Sequence, residues 1–416
     1  MRYKESKYNY IKQVADKVYI YNLLTRSFLQ LNSKKWDLMR SNLFECNSEK
    51  DNSLLNKYGV IVPESVDEFN ILHDTIQQQI NTGRDITIFL SMTSLCNFSC
   101  KYCYQDYRPE CGGNSYISKE HLDELFKYVR AEIIKNRPQY FNVVYFGGEP
   151  TLDEEKLLYA LNGFESIEGV LKNHSLITNG YLLTDKIIDA FSKISNPMIQ
   201  VTIDGTEANH NNLRPLKSGD GTYKKIIDNL NKCCELMPKK VYLRENVSED
   251  SIDDYYVFFS DLKKRIDVND LGGISINGIF SGQKGTCDKP LMSSKLLELI
   301  KYGIREGLPI TYPSEYGPCL AHSRTGVAID EELKAYVCPG ALYQHSIGEI
   351  HEGRLVISDN NWYKKINDIA KCVEKCKYAP ICYGGCKLSG GCKKKDIEMI
   401  LPTVMEQKIS KYAGKE

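Results

Sequence analysis

Short apolar runs alternate with amphipathic stretches of helical length between about residues 85 and 280. The apolar runs predict strands, and the stretches between them repeat apolar residues at the spacing of one helix face. Ser118, Thr184 and Ser251 stand where helix caps are expected. The predicted strands are 86–92, 141–146, 175–178, 199–203, 241–245 and 273–279, and the predicted helices lie near 118–136, 153–161, 184–194, 222–236 and 251–265.

This alternation predicts a parallel sheet, because a helix usually crosses over between neighbouring parallel strands. An open doubly wound sheet and a partial barrel both satisfy the pattern. In either architecture the functional residues gather at the carboxyl ends of the strands. We therefore expect one end of the sheet to collect the site. The motifs that follow the first four predicted strands are a cysteine run at 96–103, Gly147-Gly148-Glu149-Pro150, Thr178-Asn179-Gly180, and Thr202 with Asp204-Gly205.

The first eighty residues show a different pattern. Segments 18–22 and 27–31 alternate apolar and polar residues around a short turn, which predicts a β-hairpin. Ser33 is expected to cap a helix, and segment 52–59 reads as a second short helix ending at its glycine. Residues 65–84, rich in Gln, Asn and Asp, predict a helical linker. A small winged-helix-like domain is the expected result.

Composition narrows the class of partner. The 416 residues carry 54 basic and 54 acidic side chains, so the net charge favours neither nucleic acid nor an anionic membrane. The basic residues of the first eighty positions do not line one helix face, which argues against a DNA reader there and leaves a stabilising appendage as the plain alternative. Without a signal-peptide core or a bilayer-length apolar run, we expect a cytoplasmic protein whose 15 Cys are metal ligands or spare thiols.

The cysteine run carries the clearest chemistry. Cys96, Cys100 and Cys103 are separated by three and two residues. Three thiolates leave one iron of a four-iron cluster without a protein ligand, and such an iron can bind a small molecule and pass it an electron. A tetrahedral zinc site is the alternative, although no His lies near these cysteines.

Taken together, the cysteine run and the three later motifs resemble the radical S-adenosylmethionine (SAM) superfamily over about 200 residues, in the family's order. The resemblance implies a partial (β/α)6 barrel of the TIM type within an α/β fold. It also implies that Cys96, Cys100 and Cys103 hold a 4Fe-4S cluster whose open iron is chelated by the methionine moiety of SAM. Reductive cleavage would then give a 5′-deoxyadenosyl radical, with a flavodoxin- or ferredoxin-type protein as electron donor.

The resemblance further implies contacts with SAM. Gly147 and Gly148 lack side chains and let the backbone approach the methionine amino group, near which Glu149 supplies negative charge. Tyr102 is expected to pack beside the adenine. As plain alternatives, the glycine and Asn-Gly motifs are ordinary turns and Arg214 is a surface ion-pair residue. The remaining expected contacts are Asn179 and Asp204 with the ribose hydroxyls, and Thr202 and Arg214 with the methionine carboxylate.

The Cys-rich carboxyl-terminal region resembles the auxiliary-cluster extension named SPASM, through Cys382-Tyr-Gly-Gly-Cys386 above all. Two departures are a first gap of three residues where two are usual, and Leu333 where a glycine is common. The fourth ligand of the second cluster is either Cys287 or a substrate thiolate on an open iron. Zinc is again the alternative metal. By resemblance, Cys372, Cys376, Cys382 and Cys392 would hold one auxiliary 4Fe-4S cluster and Cys319, Cys338 and Cys386 a second, whereas Cys46, Cys111, Cys233 and Cys234 are ordinary small residues, Cys46 in the core.

The amino-terminal pattern, through segments 18–22 and 27–31, Trp36 and Tyr58-Gly59, resembles the peptide-leader recognition domain of the pyrroloquinoline-quinone chaperone (PqqD) type. Such domains accept an extended peptide on an open sheet edge, here the strand around 27–31. The domain prediction is therefore 1–80 for leader recognition, 81–280 for the radical SAM barrel and 281–416 for the auxiliary clusters.

The predicted function is maturation of a ribosomally made precursor peptide, most directly by joining a substrate Cys sulfur to a carbon radical as a thioether. Carbon–carbon cross-linking of aromatic or Lys side chains is the nearest alternative. A maturase that oxidises Cys or Ser to formylglycine is the second, and a zinc-organised binding module without catalysis is the third.

Overall fold

The structure is a computed structural model, and it describes residues 2–42, 44–45, 48–81, 85–103, 116–279, 293–311, 319–360, 371–386 and 391–413. Its contacts divide the chain into two compact units, which are described separately. The N/C unit comprises Met1–Gln79, Ser314–Pro318 and Asp368–Glu416, and the barrel unit comprises Ile80–Pro313 and Cys319–Asn367.

The amino-terminal part of the N/C unit contains an antiparallel three-stranded sheet in the order β2-β3-β4, and a second sheet in which β1 pairs with β5. The predicted hairpin is confirmed as β3 and β4, and the pattern missed β2. Val18 and Ile20 of β3 pack against Trp36 in the core of this part. The elements are β1 (Tyr3–Glu5), β2 (Asn9–Val14), β3 (Lys17–Asn22), β4 (Phe28–Asn32), α1 (Ser33–Ser41), α2 (Glu49–Lys57), β5 (Ile61–Pro63) and α3 (Glu68–Asn81).

The first helix begins one position earlier than expected. Asn32, not Ser33, is its N-cap, and the Asn32 side chain accepts a hydrogen bond from the Lys35 N–H at 3.2 Å. An Asn at the end of a strand serves as a cap because its short amide reaches a free N–H of the first turn. The prediction of Ser33 as the cap was therefore wrong, while the helix itself is confirmed.

The barrel unit begins with the predicted alternation of strands and helices. All six predicted strands are present, and β6 to β11 pair in parallel in sequence order. Ser118 and Thr184 cap their helices through side-chain hydrogen bonds, whereas Ser251 occupies an N-cap position without such a bond. The elements are β6 (Asp85–Thr93), α4 (Lys119–Asn136), β7 (Tyr140–Gly147), α5 (Glu154–Glu165), β8 (Leu171–Thr178), α6 (Asp185–Ser192), β9 (Pro197–Thr202), α7 (Glu207–Leu213), α8 (Tyr223–Leu236), β10 (Val241–Val247), α9 (Ile252–Arg265), β11 (Leu271–Gly278), α10 (Ser294–Arg305) and β12 (Ile310–Thr311).

The same sheet continues into the carboxyl-terminal third of the chain and reaches eleven strands in the order β12-β11-β10-β9-β8-β7-β6-β13-β14-β15-β16. Strand β13 pairs in parallel with β6, and the following three strands pair antiparallel. The elements are β13 (Gly326–Ile329), β14 (Lys334–Tyr336), β15 (Gly348–His351) and β16 (Arg354–Ile357). The partial-barrel prediction is confirmed, as part of a larger mixed sheet.

The two faces of the parallel strands differ in polarity. One face is buried, for example by Ile88, Val143 and Leu243. On the other face, here called the inner face, the Asn142 amide donates to Thr87 Oγ1 at 3.1 Å. The inner-face side chains are mostly polar and half-buried, which is the pattern of a surface that lines a cavity rather than a packed core.

The carboxyl-terminal part of the N/C unit contains α11 (Ala379–Cys382) and α12 (Lys394–Ala413). It contacts the three-stranded sheet: Lys12 Nζ lies 2.7 Å from Glu406 Oε1, and the Phe28 and Tyr412 ring centroids are 5.8 Å apart. Among the described residues, no helix combines the length and apolar composition that crossing a bilayer requires.

Candidate functional site

The loop that carries the first three cysteines is fixed at the carboxyl end of β6. It runs beside segment 213–217, because the Ser99 N–H donates to the Pro215 carbonyl at 2.9 Å and the Lys101 N–H to the Leu213 carbonyl at 3.0 Å. Cys96, Cys100 and Cys103 are all partly buried in this loop. The sheet therefore presents the three thiols at the end where the sequence predicts the site.

The surroundings of these thiols fit an iron–sulfur cluster. The Cys96 sulfur accepts from the Phe98 N–H at 3.4 Å and lies 3.9 Å from the Asn179 amide nitrogen, and such N–H groups stabilise cluster thiolates. Burial raises the pKa of the Cys100 thiol to about 11, with Arg214 opposing the shift and Cys96 and Cys103 adding to it. Bound metal would offset that cost, because coordination deprotonates a thiol.

No three His, Cys, Asp or Glu side chains among the described residues are arranged around one metal ion. In a four-iron cluster each thiolate binds a different iron, so cluster ligands do not converge on a single point. The open spacing of the cysteine loop is compatible with that geometry.

The glycine motif closes over the end of β6. Gly147 has φ +126°, and a Cβ there would lie 2.4 Å from the Thr93 carbonyl oxygen. The Gly148 N–H donates to the same oxygen at 2.7 Å, and the Glu149 N–H to the Leu95 carbonyl at 2.8 Å. Only a glycine at position 147 permits this approach.

Gly147→Ala is expected to displace the glycine loop and to weaken SAM binding by about tenfold or more, since both the backbone angle and the space exclude a side chain. Isothermal titration of the anaerobic protein with SAM measures the effect. The matched control is Gly169→Ala, which has φ +82° but no atom within 4 Å of the added Cβ. Equal loss in both variants would indicate a general folding defect and not a local effect at the glycine loop.

Glu149 links the second and third motifs. Its buried carboxylate accepts hydrogen bonds from Thr151 Oγ1 and Thr178 Oγ1 at 2.6 Å and from the Asn179 N–H at 2.7 Å. Burial raises the pKa of Glu149, and these donors oppose the shift by stabilising the charged form. Glu149 thus sets the position of Asn179, while its expected role toward the methionine amino group stays a prediction.

Three of the predicted SAM contacts form one buried network. The Tyr102 hydroxyl donates to the Asp204 carboxylate and accepts from Arg214 Nη1 at 2.7 Å. Arg214 Nη1 also lies 3.6 Å from Asp204 Oδ2. Arg214 is only 8% exposed, so the alternative of a surface ion pair does not hold. Burial raises the pKa of Asp204, and the neighbouring Arg214 opposes that shift.

Two members of this network were missed from the sequence. The Asn246 N–H donates to Asp204 Oδ1 at 3.0 Å, and its position at the end of the fifth predicted strand was a usable signal. His210 Nδ1 accepts from the Asp204 N–H at 3.1 Å, and its Nε2 faces Thr222 Oγ1. Burial lowers the pKa of His210 well below its usual range, so the ring is neutral and holds the Asp204 backbone in place.

The inner face of the sheet extends this site with polar side chains. Arg244 of β10 donates from Nε to Asn246 Oδ1 at 3.1 Å and pairs in register with Thr202, which is 7% exposed. The face is suited to a substrate with many hydrogen-bonding groups, such as a peptide backbone. Other half-buried polar residues of this face include Thr87, Asn142, Asn173, Ser175, Gln200, Ser275 and Asn277.

A second candidate site lies within the N/C unit. A cavity of about 530 Å³ is lined by the four cysteines predicted to hold one auxiliary cluster. Lys375, Lys377 and Lys394 also line it, and their positive charge complements a cluster ligated by four thiolates. The four cysteines are Cys372, Cys376, Cys382 and Cys392.

The Cys382-Tyr-Gly-Gly-Cys386 loop adopts a left-handed backbone, with φ of +50°, +89° and +85° at Tyr383, Gly384 and Gly385. Burial raises the pKa of the Cys382 thiol, and hydrogen bonds from the Gly384 and Gly385 backbone lower it. Successive N–H groups turned toward a sulfur form an anion-binding concavity of the kind that surrounds cluster thiolates.

The second predicted auxiliary set stays a prediction. Cys319 and Cys338 belong to the barrel unit and Cys386 to the N/C unit. Leu333, which replaces a common glycine, has φ +62° and therefore does occupy a position that favours glycine. Cys233 and Cys234 are buried in α8. The predictions for Cys46, Cys111 and Cys287 lie outside the described residues.

Residues 90–246 match the family model described as the Radical SAM superfamily, so this part of the chain is a radical SAM domain. The chain is similar to the radical SAM cyclopropyl synthase TigE of Paramaledivibacter caminithermalis, with 24% identity over 279 residues, which are 62% of this chain and 57% of TigE. It therefore spans little more than half the length of that relative.

Solved structures share the fold. Streptococcus suis SuiB bound to its precursor peptide SuiA matches with a TM-score of 0.53 at 12% identity, covering 93% of this chain and 95% of SuiB. The protein anSMEcpe with bound AdoMet and the Cp18Cys peptide matches with a TM-score of 0.58 at 16% identity, covering 77% of this chain and 98% of anSMEcpe. This chain, SuiB and anSMEcpe thus share the radical SAM partial-barrel fold.

Proposed function

We propose that this radical SAM enzyme modifies a ribosomally made precursor peptide. One observation carries the proposal: the partly buried cysteine loop, the glycine loop and the Tyr102–Asp204–Arg214 network lie together at the carboxyl end of a radical SAM sheet. SAM, when bound there and reduced by one electron, supplies the 5′-deoxyadenosyl radical that removes a hydrogen atom from the peptide.

The chain's own residues would bind, orient and shield that chemistry. We propose Cys96, Cys100 and Cys103 as ligands of the radical cluster, and the glycine loop with Glu149 as the site of the methionine amino group. The Tyr102–Asp204–Arg214 network and its neighbours would hold the adenine, the ribose hydroxyls and the methionine carboxylate of SAM. The residues proposed for that part are Tyr102, Asn179, Thr202, Asp204 and Arg214.

Two features support a peptide as substrate. The inner face offers half-buried amide and hydroxyl groups, which can pair with peptide N–H and C=O groups. In addition, SuiB binds a precursor peptide and anSMEcpe binds a peptide, and this chain shares their fold.

We propose a reduced flavodoxin or ferredoxin in the cytoplasm as the electron donor.

The N/C unit is proposed to bind the leader of the peptide. Among the described residues, strand β4 pairs only with β3 in its sheet. Its other side is therefore an open edge to which a further strand can be added. An edge strand offers unpaired N–H and C=O groups, to which an extended leader can add. The same unit carries the proposed auxiliary ligands around the 530 Å³ cavity.

The proposed reaction is a cross-link between a substrate Cys sulfur and a substrate carbon. One hydrogen leaves the carbon as an atom, which the radical takes, and the other leaves the thiol as a proton. An oxidised auxiliary iron–sulfur cluster, which Cys372, Cys376, Cys382 and Cys392 would hold, would supply the acceptor for the remaining electron, so that the peptide loses two hydrogens per link. The same loss accompanies a carbon–carbon link, the second candidate, which is favoured by the similarity to a cyclopropyl synthase.

Coexpression with candidate precursor peptides, such as any short reading frame found beside its gene, followed by mass spectrometry, tests the proposal. We expect a loss of about two hydrogen masses per link. After reduction, iodoacetamide would label one thiol fewer per thioether and an unchanged number after carbon–carbon linkage. A hydrazide tag on the product would instead indicate formylglycine. An unmodified peptide, together with no deoxyadenosine from SAM and reductant, would favour a zinc-organised binding module.

A further inference from the structure

A buried carboxyl outside the family motifs lies near the end of β13. Glu331 is 3% exposed, two residues beyond that strand. Its Oε1 accepts from Ser91 Oγ at 3.1 Å, and the Tyr343 hydroxyl lies 2.8 and 2.9 Å from its two oxygens. Burial raises the pKa of Glu331 to about 7, which makes the group able to exchange a proton near neutral pH.

This carboxyl lies next to the glycine loop. Ser91, on the inner face of β6, has its Oγ 2.8 Å from the position that a Gly147 Cβ would occupy. The Tyr343 hydroxyl is 3.0 Å from Ser91 Oγ. Tyr343 is half-buried whereas Glu331 is almost completely enclosed, so the tyrosine is the more exposed residue of the pair.

The backbone around the pair is held firmly. His121 Nδ1 of α4 donates to the Glu331 carbonyl at 2.7 Å. Tyr343 has φ +61°, a conformation that bulky residues rarely adopt and that persists only where the surrounding structure imposes it. Such strain is concentrated at functional sites, and here it directs a hydroxyl at a buried carboxylate.

We propose that Tyr343 and Glu331 accept the proton that the peptide loses when its new bond forms, with Tyr343 contacting the substrate and Glu331 taking up the proton behind it. The inference rests on the proposed function. The balance is that of a cross-link: one hydrogen atom goes to the deoxyadenosyl radical, one electron goes to an oxidised iron–sulfur cluster, and the proton passes through the tyrosine hydroxyl to the carboxylate.

Glu331 is the proton acceptor of this group of side chains, because its neighbours either donate hydrogen bonds or already accept hydrogen bonds from other residues. His121 directs its Nδ1 proton at the main chain and not at the carboxylate. The neighbouring Asp330 accepts from the Tyr336 hydroxyl at 2.8 Å and from two backbone N–H groups of its own turn, and its charge adds to the raised pKa of Glu331. Ser91 and Tyr343 donate to Glu331 and stabilise its charged form.

The variants Glu331→Gln and Tyr343→Phe test the inference, with Glu332→Gln at the neighbouring exposed position as the matched control. In anaerobic holoenzyme with a precursor peptide that the wild type cross-links, we expect Glu331→Gln to slow cross-link formation about 100-fold, the usual contribution of a proton-transfer group. Peptide-dependent deoxyadenosine formation should continue, because hydrogen-atom removal needs no base. Glu332→Gln should behave as wild type.

The pH dependence of product formation should follow the same groups. The wild-type rate is expected to rise with a midpoint near pH 7 as Glu331 loses its proton. Glu331→Gln should remove this rise. Tyr343→Phe should move the midpoint to higher pH, because the lost hydrogen bond no longer favours the carboxylate. A purely structural role would lower the rate without moving the midpoint.

Thermal unfolding of the holoenzyme gives a readout without turnover. The pKa of Glu331 lies above its ordinary value of 4.5, so wild type loses stability as the pH rises from about 4.5 to about 7. Glu331→Gln lacks that loss, and its Tm relative to wild type should therefore increase across this window. No such trend, or an unchanged product rate and pH profile, would overturn the inference. Absence of cross-linked product from wild type would instead overturn the proposed function.

Discussion

Cys100→Ala is expected to abolish both deoxyadenosine formation and peptide modification. The variant removes one of three thiolates proposed to hold the radical cluster, and a cube held at two corners loses the iron site that binds SAM. Activity should fall to the level of a reaction without enzyme. The iron content should fall by about four atoms per chain. Anaerobic reconstitution, iron and sulfide analysis and chromatography of the nucleosides measure these changes.

Cys234→Ala is the matched control. Cys234 is 4% exposed and lies in α8, so its replacement removes a thiol from the same unit at a position outside the proposed cluster. It should retain the iron content, deoxyadenosine formation and product of wild type, with a small loss of stability from the removed sulfur. Wild-type turnover by Cys100→Ala would contradict the proposed cluster, and equal loss in both variants would indicate a general folding defect.

The strands and helices of the barrel followed from local pattern. Each parallel strand buries one face completely, so apolar residues recur at alternate positions along it, and each helix repeats apolar residues toward the sheet. The location of the motifs was also predictable, because each motif comes directly after a strand and the carboxyl ends of parallel strands meet at one edge of the sheet. Gly147 is an example. It lies at the end of β7, where the backbone approaches the Thr93 carbonyl at the end of β6 too closely for a side chain.

Contacts between residues distant in sequence were not predictable. Strand β13 joins the sheet beside β6, although about 240 residues separate the paired positions in the chain. The Glu331–Tyr343–Ser91 group exists only because of this pairing, and no motif of the sequence marks it. His210 is another case, since a lone His in a predicted connection gives no sign that it supports the Asp204 backbone.

The N/C unit shows the same limit. Patterns gave β3, β4 and the short helices, but they did not indicate that the carboxyl-terminal segment would pack on the same sheet. That packing depends on single contacts, such as the Arg26 guanidinium donating to the Pro380 carbonyl at 3.1 Å and Lys408 lying 4.6 Å from the Tyr21 ring centroid. Individual ion pairs and ring contacts of this kind leave no periodic signal.

Gln30→Pro is expected to lower leader-dependent modification at low peptide concentration about tenfold or more. Asn22 and Ser27 form a hydrogen-bonded pair across the hairpin, since the Asn22 N–H donates to the Ser27 carbonyl at 3.0 Å. Bonded pairs alternate along antiparallel strands, so Gln30, opposite Tyr19, directs its N–H toward the open edge of β4. Proline at position 30 removes that donor and blocks the edge, while the bonds between β3 and β4 remain.

The KM for the full precursor peptide should rise about tenfold or more, because backbone pairing supplies the affinity of an added strand. Deoxyadenosine formation without peptide should be unchanged. Gln13→Pro is the matched control: the same alternation directs the Gln13 N–H to the outer edge of β2, on the opposite side of the sheet. Gln30→Ala separates loss of the side chain from loss of the edge, and both controls should keep the wild-type KM.

The reverse result, a raised KM for Gln13→Pro with Gln30→Pro unaffected, would assign the leader to the β2 edge. Wild-type KM in both proline variants would remove strand addition as the mode of recognition. Circular dichroism and thermal unfolding of each variant establish that the sheet is intact, since edge positions tolerate proline and interior ones do not. The pair of edges therefore tests the proposed leader site against a position of the same residue type in the same sheet.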